Sequence, residues 1–435
     1  MKTPPFFTDD AIVFGILMTL LGLVFYTSSS SKTQWTKFYK VVPVLLLCYL
    51  LPAILNSFNI IAPDWKTVAT DGSVTEHKSQ IYSITSKYLL PASLVLMTLS
   101  IDLKALLNLG SKALIVFLAG SVGIIIGGPI AILIVSIFSP ETVGGADFDA
   151  VWRGLTTLAG SWIGGGANQA AMLEIFKYNQ EKYGAMVLVD IVIANLGMAF
   201  LLYGIGKKET INRWLKADNS AISELQEKVS SYEASVSRNP SLNDYMLMLA
   251  VAFGSVSFAH WGSQFMATFL SNTFESVRDP KSFAATFGGT FFWLITIATF
   301  IGIALSYSPL KKLEGAGASK LGSVFIYILV ASIGMKMDLG AVLDNPGLIL
   351  VGFIWMCIHF IVIFAVAKLI KAPYFFIAVG SQANVGGAAS APVVATAFHP
   401  SLASVGVLLA IFGYIVGTGG ALICAYLMEI AAPIN

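Results

Sequence analysis

Apolar residues in this chain run in long unbroken blocks; they do not alternate with polar ones. A window of about 19 residues picks out twelve such blocks, near 9–27, 41–60, 83–102, 112–138, 152–177, 184–206, 243–270, 284–308, 320–337, 347–369, 372–398 and 403–428. At about 1.5 Å per residue each is long enough for a hydrocarbon core of about 30 Å. The pattern predicts an all-α polytopic membrane protein with about 11–13 transmembrane helices. No small-residue cleavage site follows the first block, so it reads as a retained helix and not as a signal peptide.

One long polar insert, 207–242, interrupts the series and divides the chain into 1–206, the insert, and 243–435. It carries Lys207, Lys208, Arg213, Lys216, Lys228 and Arg238, which by the positive-inside rule makes it cytoplasmic. Its middle, "NSAISELQEKVSSYEASV", reads as a surface helix.

Composition agrees with a membrane setting. Charged residues make up 11% of the 435 residues, against roughly 25% in soluble domains. A net charge of +2 gives no basis for nucleic-acid binding. Cys48, Cys357 and Cys424 lie far apart in apolar runs, with neither metal-ligand nor disulfide spacing, and read as core residues. No P-loop is present, so ATP-driven transport is not expected. No cofactor is expected beyond a coupling sodium ion or proton.

The segment "GSWIGGGANQAA" begins at Gly160 and "GSQANVGGAASAP" at Gly380, an offset of 220. The register holds without a gap through the next block. Val187, Leu188, Ile191, Gly197 and Leu202 match Val407, Leu408, Ile411, Gly417 and Leu422. Upstream, "DLKALL" at Asp102 resembles "DLGAVL" at Asp338, and the chain reads as two related halves. Loop charges oppose each other: 139–151 is acidic, whereas its counterpart near 369–371 carries Lys368 and Lys371. Such opposition predicts inverted repeats. Inversion needs an odd number of crossings between equivalent loops, yet six blocks intervene. The block at 243–270, with His260, Gln264 and several serines, is therefore expected not to cross simply.

Glycine weakens helices, and amides in hydrocarbon need partners. Gly164, Gly165 and Gly166, and then Gly386 and Gly387, are expected to break two crossing helices near mid-bilayer, one per half. Gln169, Gln382 and Asn384 are candidate ion ligands, and Ser161, Asn168 and Ser381 candidate substrate ligands. Asp190, about 9 Å inside its helix, has Met186, Val187, Ile193 and Ala194 at its helical neighbours and no basic partner there. An acid at that depth is a functional candidate by default. Its repeat mate is Ala410, so the ion site is expected mainly in the first half. Asn195 is a further substrate-ligand candidate. Lys336 and Asp338 suggest a structural pair at a membrane edge.

The paired glycine segments and the "DLxALL" helix ends resemble the YjcL-like membrane proteins, a family catalogued as a domain of unknown function and found in bacteria and plants. That family is similar, more distantly, to the superfamily of cation/proton antiporters and sodium/bile-acid symporters. The resemblance implies inverted repeats, two broken helices crossing at the centre, and elevator-type alternating access. It implies an ion-binding acid after the first crossing helix, where Asp190 stands. Many antiporters carry two adjacent polar residues there, whereas this chain has Val189–Asp190. The amides Gln169, Gln382 and Asn384 match symporter chemistry better. Homodimers joined through a scaffold domain are common in the superfamily.

These signals together predict a non-enzymatic secondary transporter in a bacterial inner membrane, with lipid and a small-molecule substrate as partners. It would move a small organic solute, with an anion favoured, on a sodium or proton gradient. The alternatives are a cation/proton antiporter, or a channel or sensor using the same fold. A serine hydrolase would need Ser161 beside His359 as its base.

Overall fold

A computed structural model describes residues 4–39, 42, 44–68, 73–99, 109–218, 239–278, 283–337, 345–399 and 402–433. The "DLKALL" and "DLGAVL" segments with Asp102 and Asp338, and the expected surface helix at 219–236, lie outside the described residues. Helix makes up 81% of the structure, as the apolar blocks require. The principal helices are α1 Asp10–Ser28, α2 Val44–Ser57, α3 Leu90–Leu99, α4 Ser111–Ser136, α5 Val151–Phe176, α6 Tyr183–Ile205, α7 Leu242–Thr273, α8 Thr290–Ser306, α9 Ala318–Gly334, α10 Gly347–Leu369, α11 Tyr374–Val385, α12 Gly387–Phe398 and α13 Ala403–Ala431. A short α-turn and a π-turn, Ile81–Ile84 and Thr85–Leu89, lead into α3. A two-stranded ribbon, β1 Asp64–Val68 and β2 Val74–Lys78, precedes them.

Among the described residues six helices are long and apolar enough to cross a membrane alone, or up to eight if each of two bent pairs is one span. The hydropathy pattern predicts more because several of its blocks are short or broken. Helix α9 has 17 residues, and the block at 372–398 divides into α11 and α12 at 12 residues each. By contrast the block at 243–270, suspected of not crossing simply, is one continuous helix of 32 residues. Its start is fixed by a capping box between Ser241 and Asp244.

The irregularity lies instead in α5. Gly165 adopts φ 72°, ψ −174°, a combination open only to glycine, and the chain reverses there. Arg153 Nη1 donates to the Phe176 carbonyl at 2.9 Å, the Trp152 and Phe176 rings meet with centroids 5.6 Å apart, and the Asn179 amide donates to Phe148 O at 2.9 Å. A straight helix of this length would hold its ends about 35 Å apart. The expected break is present, but the segment returns to the side it came from and does not cross. Helices α11 and α12 do the same around Gly387, at φ 59°. The Phe375 and Phe398 rings close that hairpin with centroids 5.3 Å apart.

The two hairpins enter from opposite faces. The root of the first lies beside Thr142, whose carbonyl accepts the Asn345 amide at 2.9 Å. The root of the second lies beside the insert. Asn212 Oδ1 accepts the Tyr374 amide at 2.8 Å, Lys371 O accepts the Asp218 amide at 3.1 Å, and Asp218 pairs with Lys112 at 2.9 Å. Helices α4 and α10 run antiparallel between these faces. Gly120, Gly123 and Gly127 recur at i, i+3 and i+7 on α4 and let the backbones approach; a Cβ at Gly123 would come within 3.0 Å of His359 Cα. Helix α13 packs against the first hairpin as closely, since a Cβ at Gly164 would lie 2.7 Å from Gly417 Cα. Cys48 and Cys424 are buried and Cys357 is half-buried, all as free thiols. Lys336 sits 3.9 Å above the Tyr82 ring.

Candidate functional site

The reversal at Gly165 sets the two arms of the first hairpin side by side, and side chains from both arms converge on α6. Asp190 Oδ2 accepts from Ser161 Oγ at 2.8 Å and from Gln169 Nε2 at 2.9 Å, while Oδ1 accepts the indole N–H of Trp162 at 2.7 Å. Asp190 is 5% exposed. None of its hydrogen-bond partners is basic, so three neutral donors take the place of a counter-ion. Gln169 Oε1 is buried with no hydrogen-bond partner. The Gln169 amide thus faces Asp190 through its nitrogen and leaves its oxygen as the buried acceptor with no donor among the described residues. Asn168 serves the same hairpin. Its Nδ2 donates back to Gly164 O at 2.8 Å and its Oδ1 accepts from Thr418 at 2.5 Å, tying the tip to α13.

The second hairpin is tied down differently. Asn384 Oδ1 accepts from Ser121 Oγ at 2.7 Å, and its Nδ2 donates to the carbonyls of Phe117 and Gly380, each at 2.9 Å. Both amide hydrogens are therefore used, and Asn384 acts as a staple to α4. Gln382 Nε2 reaches across the break to Ser390 Oγ at 2.8 Å. Ser381 Oγ lies 2.8 Å from His359 Nε2. Both tips turn at a glycine of positive φ, Gly165 and Gly387, but only Gly165 sits in a region closed to other residues; a Cβ at Gly387 would meet nothing within 4 Å.

Ser161, Gln169 and Asp190 are thus brought together; Asn168, next to Gln169 in sequence, turns instead to Gly164 and Thr418, whereas Ser381, Gln382 and Asn384 belong to the second hairpin. Asn195 is elsewhere, exposed and hydrogen-bonded to Ile191 O of its own helix at 2.7 Å. His359 pairs with Ser381 and not with Ser161, so the dyad a hydrolase would need at Ser161 is not formed. Trp162, Thr418, Ser121 and Ser390 escape sequence reasoning. Each is an ordinary residue whose role depends on a partner from another element; Trp162 and Ser390, inside the first and second glycine segments, are the two that sequence could have pointed to.

A cavity of about 440 Å³ opens at the root of the first hairpin, away from Asp190, and is lined by Glu141, Asp149, Tyr178, Lys182 and Asn345 among others. Hydrogen bonds from Lys182 at 2.7 Å and from Asn179 at 2.8 Å hold the Asp149 carboxyl below its ordinary range.

Over residues 15–430 the sequence matches the family described as protein of unknown function DUF819. The chain belongs to that family. The uncharacterized membrane protein YjcL of Bacillus subtilis (strain 168) is 26% identical over 375 residues, covering 82% of this chain and 86% of that protein. Membership of this family and the several apolar helices make the chain a multi-pass membrane protein.

Proposed function

We propose that this protein is a secondary transporter that moves a small organic solute, coupled to a sodium or proton gradient. The observation that carries this is Asp190: a buried carboxylate held by neutral donors from a re-entrant hairpin, beside the orphaned Gln169 Oε1. Irregular backbone survives in a bilayer only where protein buries it or where it lines a cavity, and an intramembrane acid marks an ion or proton path. Each hairpin tip presents one helix C-end, which attracts cations, and one helix N-end, which attracts anions. Two tips entering from opposite faces supply both kinds of end, which suits a cation travelling with an organic anion. In this reading α8 and α9, at 17 residues each, also cross. Counting α5 as a hairpin then gives five crossing segments, α4, α6, α7, α8 and α9, between the equivalent loops, the odd number an inverted repeat needs. The hairpin face bearing Lys112, Lys207, Lys208, Arg213 and Lys371 is then cytoplasmic, in a bacterial inner membrane. A homodimer is part of the same proposal.

Liposomes containing the purified protein, given an inward gradient of radioactive sodium or of protons, test it with a panel of small organic acids. Saturable ion entry that depends on one of them supports transport. Ion flux that is independent of every solute and proceeds at channel rates contradicts it.

A further inference from the structure

Most hydroxyls on these helices return their hydrogen to a carbonyl three or four residues back, as Ser136, Thr156, Thr157 and Thr299 do. Ser161 and Ser381, the two serines matched across the halves, give theirs to a neighbouring helix. In the first half the acceptor is Asp190. In the second it is His359, and the way that ring is seated fixes what Ser381 can do. His359 Nδ1 lies 2.9 Å from Gly120 O. A carbonyl only accepts, so Nδ1 carries the hydrogen. Nε2 of the neutral ring is then the bare nitrogen and takes the Ser381 hydrogen at 2.8 Å. The seat is built for this ring: a Cβ at Gly120 would come within 3.1 Å of His359 Cε1 and 3.0 Å of Asn384 Nδ2. His359 is fully buried and Ser381 is 1% exposed.

We propose that His359 is the positioning residue of the second hairpin: by taking the Ser381 hydrogen, it leaves Ser381 Oγ able to act only as an electron-pair donor, and so as a ligand for a sodium ion. The assignment rests on the transport reading above and deepens it, because it gives the second half its own cation ligand in place of the acid that Ala410 lacks. Neither matched serine can then donate to an anion. An organic anion would have to be held by helix N-ends or amides.

The test is thermal unfolding of the purified full chain, titrated with NaCl against KCl. Wild type is compared with Ser381→Ala, His359→Leu, His359→Asn, His359→Gln, Asp190→Asn and the Ser381→Ala/His359→Leu double variant. Gln can accept from Ser381, whereas Leu cannot, and Asn keeps a polar group but is too short to reach. We expect His359→Leu and His359→Asn to raise the sodium concentration for half-maximal stabilisation by about tenfold. His359→Gln should stay within about threefold of wild type, and the double variant should match Ser381→Ala alone, since one residue acts through the other. His359→Asn carries the comparison should Leu fail to fold. A wild-type response in His359→Leu or His359→Asn overturns the assignment, as does a double variant weaker than Ser381→Ala. If Asp190→Asn abolishes the sodium response while the His359 variants keep it, the transport reading stands and His359 alone is excluded. A wild type indifferent to sodium overturns both the sodium reading and this assignment.

Discussion

Arg153 and Phe176 lie 23 residues apart in sequence, yet the guanidinium of one donates to the carbonyl of the other at 2.9 Å. That contact separates a hairpin from a crossing helix, and it changes the topology of everything downstream. With the first glycine segment re-entrant, both of its ends share a face with Thr142 and Asn345, and the second hairpin shares the other face with Lys112 and Asp218.

Single cysteines at Phe148 and Asn179 should therefore react with a membrane-impermeant maleimide from the same side of the membrane. Cysteines at Asn212 and Lys371 should react only from the opposite side. Labelling of positions 148 and 179 from different sides would mean that α5 crosses.

The two tip glycines should differ in their tolerance of a side chain. Gly165 has ψ −174° with φ 72°, a region closed to alanine, and a Cβ there would lie 3.3 Å from Tyr414 Cε1. Gly387 has only the positive φ, with open space around it. Gly165→Ala should cost about 2–3 kcal/mol and Gly387→Ala about 1 kcal/mol, read as the difference in thermal midpoint.

Much of this was legible in sequence, and the failures share one cause. The glycine segments, their repeat offset and the isolation of Asp190 are local properties, visible wherever Gly164–Gly166 or Asp190 is read. Whether a broken helix continues or turns back depends on contacts such as Trp152 with Phe176, which no window of hydropathy contains. The same limit explains Asn384 and Asn195. As amides near glycines or acids they look alike in sequence, but one is bonded to α4 and the other to its own helix.

Asn384→Ala should be destabilising without altering any ion response. It strips Ser121 Oγ and the Phe117 carbonyl of a buried partner, a loss of about 2–4 kcal/mol. A sodium titration with unchanged midpoint, on a lowered baseline, is the expected outcome. A shifted midpoint would make Asn384 a ligand.

The Asp149–Lys182 pair should give stability a pH dependence on the acid side. The folded carboxyl titrates below its unfolded value, so the native state binds fewer protons there. The contribution is complete above the unfolded value of about 3.9 and disappears as pH falls through the folded one. Because the pair is nearly half exposed, the effect is small. Unfolding midpoints between pH 7 and pH 3 should fall less steeply in Asp149→Asn than in wild type.

The most direct measurement is the thermal stability of wild type and Asp190→Asn in NaCl against KCl at two pH values. A cation that binds only the folded protein stabilises it by about 2.7 kcal/mol at a hundred times its dissociation constant. The account predicts that wild type responds to sodium or to pH and that Asp190→Asn loses that response. Equal responses in the two proteins, or none in either, would contradict the claim that Asp190 is the coupling site.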